Sequence, residues 1–229
     1  MRIISKNINT VNAFSKLEKQ VTNSAKQRKA IDPSEFSAKL HDIGETYVSS
    51  NNLTNFNRIS SRLAEKLVSI GEGSLAGAVY SLLIKLNQKN TEAIEKFATN
   101  ALAIAKRFHD PVHIMARAND LKEIYKVTQP NSDKHLKTLQ TEKRALKEIC
   151  ENYTKVQGRF HTIKRAMKPV EGYELKLAAI RYEIAQILKD SNKQLAMEEL
   201  EKADAIMQKH DKGGLYKKIQ RLLEELKKW

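Results

Sequence analysis

The 229-residue chain has one cysteine, four prolines, eight glycines and few aromatic residues, 6% of the total. Each shortage excludes something. A lone thiol, Cys150, cannot close an intrachain disulfide or build a cysteine-rich zinc site. So little glycine and proline does not suit a turn-rich all-β protein. No run of about 18 apolar residues occurs, so no membrane-spanning helix is expected. No apolar stretch follows the basic start, so no ordinary secretory signal is expected. Gly71-Glu72-Gly73-Ser74 lacks the lysine ending of a nucleotide loop, and no H-E-x-x-H or E-x-x-H metal pair occurs. His109 and His113 flank Asp110-Pro111 and read as part of a helix cap rather than as metal ligands. Cys150 lies beside an apolar position with no histidine near in sequence, so it reads as an inert thiol. The chain is therefore expected to be no enzyme and to need no cofactor or metal.

What the sequence does have is positive charge and helical periodicity. The net charge is +14, and it is uneven. Residues 1–30 carry +6 and residues 131–170 another +6, while 31–130 and 171–229 carry +1 each. A near-neutral body with two basic elements suggests surfaces for an anionic partner. The basic, acid-poor first 30 residues also resemble some organelle or export signals. A cytoplasmic protein is the expectation, with export or organelle targeting through that segment as the alternative.

Apolar residues recur at spacings of three and four almost throughout. In 3–29 the stripe is Ile4, Ile8, Val11, Phe14, Leu17 and Val21. Asp32-Pro33-Ser34-Glu35 then reads as a capped helix start, followed by Phe36, Leu40, Ile43 and Tyr47. A helix over about 54–70 ends at Gly71, where glycine takes a left-handed conformation cheaply. Ser74 and Thr91 are expected to open the next two helices, and Asp110-Pro111 another. Ser132 opens a stretch in which Leu139, Leu146, Tyr153, Phe160 and Met167 lie seven apart, with Ile149, Val156 and Ile163 three residues after members of that series. This is an a/d heptad seam on one long helix, about 132–168, with Gly158 the expected kink. Helices at about 172–189, 193–209 and 214–228 complete the pattern, the last as a cap. No segment alternates with period two. The first helices of successive pairs start near 34, 74, 111 and 172, intervals that suit two-helix repeats interrupted by the long basic helix.

Residues 101–108, Ala-Leu-Ala-Ile-Ala-Lys-Arg-Phe, run into His109-Asp110-Pro111 and then Ala116, Ala118, Leu121, Ile124 and Tyr125. This resembles a tetratricopeptide-type repeat junction, and Ala196, Leu200 and Ala203 are similar to the second-helix signature of that repeat. The resemblance spans about 31–130 and 171–229, is degenerate, and implies a protein- or peptide-binding scaffold with no chemistry of its own.

The expected fold is thus all-α, of about ten helices, with antiparallel hairpins stacked as a short, irregular tetratricopeptide-like solenoid. Residues 1–30 form a basic amphipathic segment and 31–229 the helical-repeat domain. The leading function is a noncatalytic adaptor that takes a protein or peptide on its concave surface. Asn119, Lys126, Gln186 and Lys189 lie off the apolar stripes and are the candidate contact residues. The alternative is a nucleic-acid or polyanion binder using Lys143, Arg144, Lys147, Lys155, Arg159, Lys164 and Arg165, all off the seam and read as free to meet phosphates. Tyr153 and Phe160 are seam positions, which leaves no stacking platform for bases. A third reading is a helical effector or structural protein that forms a homo-oligomer through the seam.

Overall fold

The computed structural model describes residues 2–27, 29–152, 170–210 and 213–228. Those residues are all-α, with no strand among them. The helices are α1 (Arg2–Gln27), α2 (Pro33–Ser49), α3 (Leu53–Ser69), α4 (Gly73–Leu86), α5 (Thr91–Arg107), α6 (Pro111–Thr128), α7 (Asp133–Glu151), α8 (Val170–Leu188), α9 (Lys193–Met207) and α10 (Gly214–Lys227).

Local chemistry sets most of these boundaries. Asp32 Oδ1 accepts from the Ser34 and Glu35 amides at 2.8 and 2.9 Å, with Pro33 in the first turn where its missing N–H costs nothing. Asp110 caps α6 through the His113 amide at 3.1 Å, and Ser132 caps α7 through the His135 amide at 3.2 Å. α5 opens at Thr91 as expected, capped by Asn90, whose Oδ1 takes the Ala93 amide at 3.0 Å. One start differs from expectation by one residue. Ser74 lies inside α4, which begins at Gly73 and has no side-chain cap. Gly71 ends α3 with φ +87°. A side chain at Gly73 would run into the Phe108 ring, so close approach rather than capping explains that glycine.

The chain divides into two units, Met1–His109 and Asp110–Trp229, a boundary that falls inside the 31–229 range. In the first unit α1 packs on α2, α2 on α3 and α4, α3 on α4, and α4 on α5. Phe14, Leu17 and Val21 of α1 join Phe36, Leu40, Phe56, Leu63, Leu83 and Phe97 in one core. Phe14 meets Phe56 edge-on at 6.4 Å between centroids, and Tyr47 closes on the same ring at 5.4 Å. So the described part of the basic first segment is a docked helix. Its stripe is shorter than expected, because Val11 is 53% exposed.

In the second unit each helix packs on the next, α6 through α10. Leu139, Leu146 and Ile149 of α7 are fully buried against Leu177, Ile180 and Ile184 of α8 and Ala196, Leu200 and Ala203 of α9. This part of the heptad seam is filled by its own unit and offers nothing to a second copy, which corrects the self-association reading for these three residues. α7 ends at Glu151, where Asn152 leaves helical geometry. The asparagine N–H and Nδ2 both bond the Glu148 carbonyl, at 3.0 and 3.3 Å, taking up an acceptor the helix end would leave unpaired. Tyr153, Val156, Gly158, Phe160, Ile163 and Met167 lie outside the described residues.

Candidate functional site

Among the described residues a buried charged layer lies between α6, α7, α8 and α9. Glu142 of α7 is 0% exposed. Lys122 Nζ of α6 stands 3.4 Å from one of its oxygens, and Lys176 Nζ of α8 stands 3.1 Å from the other. One turn face over, Glu199 of α9 receives Lys143 Nζ of α7 at 2.7 Å and Arg181 Nη1 of α8 at 2.6 Å. Adjacent residues of α7, Glu142 and Lys143, therefore serve two staples, one across α6–α7–α8 and the other across α7–α8–α9. Burial alone would raise the Glu199 carboxyl. The hydrogen bonds and charges of Lys143 and Arg181 outweigh it and hold Glu199 below the usual glutamate range.

Asp120 of α6 borders the layer. Burial raises its carboxyl above the usual aspartate range, and the nearby Glu142 charge adds to this, against the pull of Arg117 at 3.0 Å and of Lys176. His135 of α7 is buried with both ring nitrogens lacking a hydrogen-bond partner. Burial keeps its imidazole neutral to lower pH than usual, helped by the positive charges of Lys126 and Lys122 and opposed by Glu123.

This sets the sign of a pH response. A histidine whose folded pKa is depressed contributes stability that is present above its unfolded value and lost as pH falls through that value. Urea unfolding should therefore show the second unit weakening as pH falls below about 6.5, the ordinary histidine value, towards the lower folded value. The His135→Gln variant should lose most of that slope. An unchanged slope in the variant would remove His135 as its source.

The sequence-based sites fare unequally. Lys143 is not free to meet phosphates. It is part-buried and committed to Glu199. Arg144 and Lys147 are exposed, and Lys147 pairs with Glu151 at 3.5 Å. Lys155, Arg159, Lys164 and Arg165 lie outside the described residues. Lys126 on α6, Gln186 on α8 and Lys189, the residue after α8, are exposed, and Asn119 on α6 is half-buried. Gln186 donates from Nε2 to the Tyr182 hydroxyl at 3.1 Å. No bond among the described residues joins these four to one another. They stand on α6 and on or just after α8, two helices that are linked through Glu142, by way of Lys122 and Lys176.

Burial pushes the Cys150 thiol up to about 11, with Glu174 and Glu151 adding to the effect, so at neutral pH it is protonated and a poor nucleophile. Among the described residues no group of three His, Cys, Asp or Glu side chains is placed to hold a metal. His113 Nδ1 lies 2.5 Å from Asp110 Oδ2, which ties it to the α6 cap. That pairing outweighs burial and holds the Asp110 carboxyl below the usual range. No helix among the described residues is long and apolar enough to cross a membrane.

No family model and no curated protein matches the chain. Among solved structures, one described as a Podosopora anserina putative kinesin light chain with nearly identical TPR-like repeats is similar over 87% of this chain and 97% of that one, at 14% identity and a TM-score of 0.33. The assignment to an all-helical class rests on the helices themselves.

Proposed function

We propose that the chain is a noncatalytic helical scaffold that binds a protein or peptide partner. The observation that carries the reading is neighbour-on-neighbour packing: in the second unit each described helix from α6 to α10 rests on the next described one. Such a stack buries its core between consecutive helices and leaves the outer sides of successive helices as an extended surface for a partner. The charged staples support the same reading. They fix α6 and α8 relative to α7, so the exposed side chains of α6 and α8 are presented from helices that need no ordering on binding. The proposed contacts are Asn119, Lys126, Gln186 and Lys189.

A displayed library of random peptides, selected on the full chain at physiological salt, tests this. Enrichment of peptides whose binding is lost in the Asn119→Ala/Gln186→Ala variant is the expected result. Failure to enrich any peptide, together with tight binding of a short DNA duplex by the same preparation, would replace the scaffold reading with the polyanion one.

A further inference from the structure

Several exposed lysines of the chain are neutralised within their own helix. Lys39, Lys147 and Lys202 each have a glutamate four residues away on the same helix and pair with it. Lys16, Lys19 and Lys26 of α1, and Lys29 just beyond it, are exposed, and no acidic side chain among the described residues lies within ion-pairing distance of them. The single acid in residues 1–30, Glu18, is turned to Lys66 of α3 at 3.5 Å. At about 100° per residue, Lys16, Lys19 and Lys26 fall within one 80°-wide sector, roughly opposite the sector of Phe14, Leu17 and Val21 that enters the core. Docking α1 on the first unit thus turns a row of unneutralised cations outward, about 15 Å long from Lys16 to Lys26.

We propose that this outer face of α1 docks the chain on an anionic lipid surface. Three observations favour a bilayer over a nucleic acid. Between residues 11 and 27 the helix carries lysine but no arginine, so it lacks the guanidinium fork that binds duplex phosphates bidentately. Its one aromatic side chain, Phe14, is buried and cannot stack on a base. Val11, midway between the lysine sector and the core sector, is an exposed apolar side chain that a headgroup boundary would cover and a hydrated duplex would not. Lysine stems lie along such a boundary with their ammonium groups among anionic headgroups, each contributing independently to binding. The face is a peripheral dock and needs no spanning segment.

Flotation of the full chain with phosphatidylcholine vesicles, with and without phosphatidylserine, tests the proposal at low and physiological salt. Binding should require phosphatidylserine and weaken with salt. The Lys16→Glu/Lys19→Glu/Lys26→Glu variant should lose roughly tenfold or more in partition. A control with the same charge change in exposed lysines of α4–α5, Lys89→Glu/Lys96→Glu/Lys106→Glu, should keep most of the binding. Circular dichroism should show both variants as helical as the parent. Failure of the parent to bind phosphatidylserine vesicles overturns the proposal, as does an equal loss in both variants. Tighter binding to a short DNA duplex that depends on the same three α1 lysines overturns it in favour of a nucleic acid.

Discussion

Replacing Leu146 with aspartate should unfold the second unit. Leu146 of α7 is fully buried in the apolar core it shares with α8 and α9. The substitution removes a large apolar side chain and puts an unpaired charge in its place. The first change alone costs about 2–5 kcal/mol, and an uncompensated buried charge adds several more. That approaches the whole stability of an ordinary domain, about 5–15 kcal/mol. Thermal unfolding followed by circular dichroism should lose the helical signal of α6–α10 while the separate core of the first unit keeps its own. A melting curve like that of the parent would mean that the seam is not packed as described.

The second large effect separates two neighbours that look alike in sequence. Lys143→Glu places a carboxylate against Glu199 and leaves Arg181 to hold two acids instead of sharing one. Breaking a buried ion pair in this way costs about 3–5 kcal/mol, and the partial exposure of Lys143 puts the expected value near the lower end. Arg144→Glu, one residue on, changes an exposed side chain and should alter stability by no more than about 0.5 kcal/mol. Urea titrations of the two variants measure the difference. Equal stabilities would show that Lys143 does not hold Glu199 in solution.

That contrast marks where the sequence was readable and where it was not. Caps with a local mechanism were legible: Asp32 before Pro33, Asp110 before Pro111, and Ser132 each hold the amide their spacing implies. The apolar seam was legible up to Ile149. Lys143 was misread because a heptad places charges off the seam without saying what another helix brings to meet them, and Glu199 is 56 residues away. A signal for the layer was nevertheless present. Glu142 follows Leu139 by three, the place Ile149 holds after Leu146, so a charge stood at a core position. Glu199 likewise falls between Ala196 and Ala203 on the buried stripe of α9. The division at His109–Asp110 was not legible. It coincides with His109 at φ +50°, a conformation sequence reasoning assigns to glycine or asparagine, as at Asn51 and Asn131. The exposure of Val11 was hidden for another reason. Spacings of three and four describe a broad sector, and only the packing of α2 and α3 decides how much of it is covered.

The contact residues proposed for the scaffold are on α6 and at the end of α8, apart from the basic residues of α7. The most direct measurement is the affinity of the full chain for a peptide recovered from the library selection, by fluorescence anisotropy at physiological salt. It is compared among the parent, the Lys126→Glu/Lys189→Glu variant and the Arg144→Glu/Lys147→Glu variant, all four positions being exposed. If α6 and α8 present the partner surface, the first variant should bind roughly tenfold or more weakly, as loss of central contacts does, and the second should match the parent. The reverse order, with affinity surviving at Lys126 and Lys189 but lost at Arg144 and Lys147, would contradict the account and move the partner surface to α7.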